Sequence, residues 1–357
     1  MPKKTGRFVY FAVFLLVFFG TTSLAFAQRQ LVKFDNRKKW FGDSAVWGET
    51  YDEATNSLYI KVWLEVPQSP WKKRGGHILR ANRVGSDKAH FIIPDDQSEL
   101  DEINSFKING RSVSVTQPRI INTPVGKYMF FVTGGLHSSR GENSDIHVAK
   151  WNKKLNKWQV NKADEEMLKS VNTVGLECLP CPADKGLTLY FTSDTNRPCK
   201  KGKCACDNAF IYLAGTCFST YKYTRDSYDK PFEPKGDGLQ VSDTGGVTFL
   251  YLKDFKMRGK VYKEINQIAS VSVSDNGIVF FNGLDPKGKD WDNIWMARWD
   301  GKKFLDAKYV PEIDDASNEG IKEYPEVLKD GSGIYWASGR LAITTQIYFL
   351  DLKKLKY

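Results

Sequence analysis

The chain has 357 residues, 41% hydrophobic and 13% aromatic, with a formal net charge of +10. That length admits two ordinary domains or one large all-β domain. The basic residues lie in short scattered clusters (Arg37-Lys38-Lys39, Lys72-Lys73-Arg74, Lys200-Lys201-Lys203) rather than in a stripe with interleaved aromatics, which argues against a nucleic-acid binder.

Residues 1–27 predict a cleavable secretory signal. Lys3, Lys4 and Arg7 open it, Phe8 to Phe19 is an unbroken apolar run, and Ala25-Phe-Ala27 fits the small-x-small cleavage rule. The apolar run makes a helix of roughly 18 Å, short of the ~30 Å hydrocarbon core. No cysteine follows it to carry a lipid, and no later segment is long and apolar enough to span a bilayer. Residues 28–357 are therefore expected as one domain, periplasmic or secreted, with no stable membrane insertion once the signal is cut.

Along the chain a small unit recurs: a turn ending in Gly, then a short strand rich in aromatic and branched residues. It reads Gly126-Lys-Tyr-Met-Phe-Phe, Gly186-Leu-Thr-Leu-Tyr-Phe, Gly246-Val-Thr-Phe-Leu-Tyr, Gly277-Ile-Val-Phe-Phe and Gly333-Ile-Tyr-Trp-Ala, with a weaker copy at Asn56-Ser-Leu-Tyr-Ile. A second strand follows after a polar loop: His77–Arg83, Asp145–Trp151, Ala209–Ala214, Asn293–Trp299 and Gln346–Leu352. Helical periodicity is confined to about Ala163–Val171. A sheet unit of this length cannot bury both faces alone, and radial packing of such units is a β-propeller. Six copies predict six blades in preference to five or seven, with Leu31-Val-Lys-Phe34 as a closing strand beside Gln346–Leu352.

The turns Ser242-Asp-Thr-Gly245, Ser274-Asp-Asn-Gly277 and Lys329-Asp-Gly-Ser-Gly333 resemble the S-P-D-G turn of the WD40-like (PD40) repeats of TolB-type propellers. Tyr324–Arg340 followed by Gln346–Asp351 runs parallel to that repeat almost throughout, although the turn proline is missing in every copy. The resemblance implies a propeller and is nearly silent on activity.

All six cysteines, Cys178, Cys181, Cys199, Cys204, Cys206 and Cys217, fall within one repeat, the third. An even count in an exported chain predicts disulfides, forming a rigid cysteine-rich loop insertion on the third blade. The spacing opens like a zinc ribbon, but its second pair is C-x4-C or C-x-C. Cys181 is followed by Pro182 rather than His, which excludes covalent haem. The four histidines form no H-x-x-H pair, and the carboxylate runs Asp285–Asp292 and Asp314–Glu319 read as ordinary turns. No metal or cofactor is expected.

No catalytic motif stands out. The expectation is a non-catalytic binding or scaffold module that recognises a protein or glycan partner through its loops. Three long loops occupy the same place in the repeat: Pro67–Gly76 with Trp71, Gly134–Ser144 with His137 and Arg140, and Thr192–Asn208 with Lys200 and Lys201. On a radial array they share one rim. The alternative is a glycan-active enzyme with two carboxylates from different blades at the central mouth. Mass spectrometry of the exported protein should find Gln28 as its first residue; a membrane-bound form retaining residues 1–27 would refute cleavage.

Overall fold

The computed structural model describes residues 29–42, 44–65, 69–71, 74–134, 144–173, 175–193, 199–200, 203–204, 219–234, 255–257, 260–262, 269–283, 293–299, 304–310, 312–313, 321–339 and 345–355. They form a five-bladed β-propeller. Blade 1 runs outward from its inner strand Val46–Asp52 through Ser57–Leu64 and Gly75–Arg83 to His90–Ile92, with Lys33–Phe34 beyond. Blade 2 comprises Val115–Thr123, Gly126–Thr133, Asp145–Asn152 and Lys157–Gln159. Blade 3 comprises Glu177–Ala183, Thr188–Ser193, Ser219–Thr224 and Glu233–Pro234. Blade 4 comprises Ala269–Val273, Ile278–Gly283, Asn293–Trp299 and Phe304–Tyr309. Blade 5 comprises Ile321–Val327, Gly333–Gly339 and Gln346–Asp351. Its outer strand is Gln30–Leu31, paired antiparallel with Phe349 and Tyr348, so the N-terminal segment closes the ring, but Lys33–Phe34, expected in the same strand, pair in parallel with His90–Phe91 of blade 1 instead.

The second strand of each blade shows why the ring forms. Its side chains alternate between faces, and both faces are apolar. In blade 2, Tyr128, Phe130 and Val132 pack toward blade 3 while Met129 and Phe131 pack toward blade 1. In blade 5, Ile334 and Trp336 pack toward blade 4 while Tyr335 meets blade 1. Each blade thus needs a neighbour on either side. The core is divided accordingly into interfaces between successive blades, the last closing blade 5 on blade 1.

The expected count of six is corrected to five. Cys181, Ala183 and Tyr190 of blade 3 pack directly on Val271, Val279 and Phe281 of blade 4. No blade can stand between them; the Gly246 copy lies outside the described residues. The third strand of blade 3 is also corrected, from Ala209–Ala214 to Ser219–Thr224, whose register runs from Thr188↔Thr224 to Ser193↔Ser219. The brief helix is present as Lys162–Glu165, capped by the Asn161 side chain and continued by a 3-10 turn over Glu166–Leu168. Among the described residues no helix is long and apolar enough to cross a membrane.

Val32 and Phe34 of the closing segment are buried in the core between blades 5 and 1, Val32 donating its N–H to the Ile347 carbonyl and Phe34 packing on Phe41 and Phe91. A chain that begins at residue 36 should therefore lose the closing strand and about 3–5 kcal/mol of apolar packing. Thermal melting checks this, and an unchanged midpoint would show that closure lies elsewhere.

Candidate active site

The five inner strands share a backbone feature that sequence periodicity does not reveal. Each carries one residue in the left-handed region: Gly48 (φ 63°), Gln117 (51°), Leu179 (54°), Ser270 (51°) and Tyr324 (56°). At each of them the ladder with the second strand slips by a bulge. A bulge leaves a backbone donor out of the ladder, so proline is tolerated there. Pro118, Pro180 and Pro325 follow the left-handed residue directly.

The bulge brings the residue two places on into one polar cluster at the centre: Thr50, Arg119, Ser272 and Glu326, from blades 1, 2, 4 and 5. The Glu326 carboxylate is the hub. It accepts from Thr50 Oγ1 at 2.8 Å, Arg119 Nη1 at 2.7 Å and Ser272 Oγ at 3.1 Å. Arg119 also donates to the backbone carbonyls of Glu49 at 2.6 Å and Pro325 at 3.0 Å. The ion pair is nearly solvent-free, with side-chain exposures of 6% and 8%. Blade 3 places Cys181 at the equivalent position, buried, with its thiol pushed up by burial.

Beside the hub stands Glu49, fully buried, with no donor from another residue on either carboxyl oxygen and only its own backbone N–H close enough to favour the charged form. Burial pushes it up to about 8; Arg119 opposes this, and the negative charges of Glu326 and Glu323 add to it. Glu49 therefore stays protonated at neutral pH. One step before the bulges, Trp47 and Glu323 are half-buried on blades 1 and 5, nearer the rim where the inner strands begin. Lys61, paired in register with Trp47, holds its Nζ 3.1 Å from the centre of the Trp47 ring. Burial lowers the Lys61 ammonium to about 7 against the pull of Glu323.

The residues expected to form the site are not gathered here. Trp71 is structural: its ring stacks on His77 with centroids 5.1 Å apart, and its Nε1 donates to Asp101 at 3.2 Å. His137, Arg140 and Lys201 lie outside the described residues, and Lys200 is described only as backbone of the hairpin Cys199–Lys200/Lys203–Cys204. Cys206 and Cys217 lie outside the described residues too. Cys178 and Cys181 are buried on opposite faces of blade 3, one toward blade 2 and one toward blade 4. They cannot bridge each other, and Cys181 carries a free thiol, against the expectation that all six pair. His147 is packed in the sheet, between Thr133 Oγ1 at 3.0 Å and Glu165 Oε2 at 3.0 Å. The carboxylate runs at 285–292 and 314–319 fall outside the described residues.

No family model matches the chain, and no curated protein matches it. Solved structures of similar arrangement do. A glycosyl hydrolase from Bacteroides ovatus is 12% identical, with 87% of this chain and 85% of that one covered and a TM-score of 0.46. A thermostable family-43 glycoside hydrolase is 10% identical, with 89% and 92% covered and a TM-score of 0.48. The α-L-arabinofuranosidase of Podospora anserina is 10% identical, with 91% and 97% covered and a TM-score of 0.46. These neighbours are enzymes. The expectation of a non-catalytic scaffold, and of a chain that is not an enzyme, is corrected by that finding. At such identities the likeness concerns the fold, and the acting residues follow only from this chain's own side chains.

Glu49 links protonation to stability. Its folded value, about 8, lies above the ordinary 4.5. Its contribution is thus fully present below pH 4.5 and is lost progressively as pH rises to about 8. Urea midpoints of wild type and E49Q, compared at pH 5 and pH 8.5, should diverge, with wild type losing more at the higher pH. Equal losses in both proteins would sink this account of Glu49.

Proposed function

We propose that the protein is an exported, glycan-active enzyme of the glycoside-hydrolase type, with its reacting centre at the axis of the propeller. One observation carries the reading: a carboxyl group held neutral by burial, with no donor from another residue on its oxygens, stands beside carboxylates from another blade. Cleavage of a glycosidic bond asks for such a division of roles. One carboxylic acid protonates the leaving oxygen, and a carboxylate supports the anomeric carbon or its attacking water. Glu49 is the acid. Glu323, on the rim side of the blade 5 bulge, is the carboxylate that faces the sugar. Glu326 stays in the hub, where it holds Arg119 and, by its charge, helps keep the proton on Glu49.

Residues 1–27 support export, so the substrate would be met in the periplasm or outside the cell. The blade 5 turn Lys329-Asp-Gly-Ser-Gly333 supports a repeat kinship with TolB-type propellers, as a matter of fold rather than chemistry.

The test is reducing-sugar release from a panel of neutral oligosaccharides. Wild type should cleave at least one, and E49Q and E323Q should each be slower by on the order of 100- to 10,000-fold. The wild-type rate should fall as pH rises through about 8, where Glu49 loses its proton. Absence of cleavage across the panel, or an E49Q variant as fast as wild type, would overturn the proposal.

A further inference from the structure

Trp63 is a large aromatic side chain that the fold leaves open, 41% exposed. It lies on the second strand of blade 1, on the same face as Tyr59 and Lys61. Two features of the ladder keep its ring uncovered. Its partner on the third strand is Gly76, which has no side chain to lay over it. Gly76 is itself constrained, since a Cβ there would lie 3.0 Å from the Val115 carbonyl of blade 2. On the other side, the ladder with the inner strand begins at Val46↔Val62, so Trp63 stands one residue beyond it. The ring thus sits at the rim, two residues or roughly 7 Å past Lys61, the neighbour of Trp47.

The exposed ring is nevertheless held. Its Nε1 donates to Glu65 Oε1 at 3.3 Å, and Arg74 Nε is 2.9 Å from Glu65 Oε2. An open indole fixed by a hydrogen bond, whose acceptor is fixed in turn by a guanidinium, is pre-organised for contact. We infer that Trp63, Glu65 and Arg74 form a subsite for a neutral sugar ring of a glycan, outside the reacting centre.

The chemistry selects that occupant. The C–H face of a sugar covers the indole, while its hydroxyls reach the carboxylate and guanidinium at the ring's edge. An apolar protein surface would cover the ring but strip water from Glu65 and Arg74 and give nothing in return. The two charges cancel locally, so neither an acidic nor a basic sugar is favoured. The subsite lies on the rim side of Glu49, so it takes a residue of the chain other than the one cleaved.

This inference rests on the glycan-active reading, and the experiment separates the two. Calorimetric titration of the full-length E49Q protein with neutral oligosaccharides of increasing length measures binding without turnover. Affinity should rise at the length that reaches Trp63. W63A added to E49Q should weaken the longer oligosaccharides by about 10-fold or more, equivalent to about 1.4 kcal/mol. W63F should keep most of the affinity, E65Q should lose part of it, and thermal melting should be unchanged in all three. Equal affinity in W63A, an equal loss in W63F, or no binding across the panel would overturn the subsite. Binding that depends on Trp63, with no cleavage by wild type, would sink the enzymatic reading alone.

Discussion

The ion pair between Arg119 and Glu326 is the interaction on which the centre of this molecule depends. It is made where water has been excluded, and desolvating two charges costs several kcal/mol each. Their mutual attraction is supplemented by hydroxyls from Thr50 and Ser272 and by two backbone carbonyls that accept from Arg119. Those hydroxyls are themselves fixed, since Thr50 Oγ1 accepts from the Ile120 N–H and Ser272 Oγ from the Val327 N–H. Charges, hydroxyls and backbone from four blades are thereby locked in one register. Removing either charge alone would strand the other, at about 3–5 kcal/mol. A buried pair of this kind is a poor source of net stability but a strong constraint on position. Stability comes from the apolar faces between blades, and the pair decides how those blades meet.

The parts of the fold legible in the sequence were those whose chemistry is uniform. Strands such as Tyr128–Val132 and Ile334–Ala337 are apolar on both faces and follow a glycine turn, so they announce themselves. The inner strands do not. Gln117-Pro118-Arg119 and Tyr324-Pro325-Glu326 place a left-handed residue, a proline and a charge in succession, and by ordinary rules proline demotes a strand to an edge. Here the demoted strand is the innermost edge of its blade, with a bulge that needs no donor. The count of six failed for a related reason. The glycine-led apolar run at Gly246 satisfies the local pattern, but only the contact of Tyr190 with blade 4 shows that no blade intervenes between blades 3 and 4.

The candidate site was less legible still. Trp47-Gly-Glu-Thr50 matches no motif, and nothing local distinguishes Glu49 from a surface glutamate. Its character is set by groups far away in sequence: the enclosure that removes water, and the charges of Arg119, Glu323 and Glu326. Conversely, Trp71 looked like a binding residue because it sits in a polar loop. Its loop position hid a stacked partner, His77, only six residues on. The signature of a left-handed residue followed by proline, at 117–118, 179–180 and 324–325, marks the centre only once the backbone is known, since the chain has 14 prolines.

The left-handed residue links that signature to chemistry. In an unbroken strand, side chains alternate strictly between the two blade faces, and both faces are committed to apolar packing. No polar residue could then reach the axis without spoiling an interface. The bulge breaks the alternation once per blade and frees one side chain from that obligation. Blade 3 places a cysteine in the freed position, while the other four blades place a threonine, an arginine, a serine and a glutamate. At Gly48 the left-handed position is occupied by the one residue that adopts it without steric cost, and the space is tight: a Cβ there would come within 3.3 Å of the Gln117 nitrogen. Blades 1 and 2 therefore meet closely beside Glu49, as they also do at Gly76. Burial within the closed ring is what strips water from its carboxyl group, so the raised proton affinity of Glu49 is a product of the propeller's own closure.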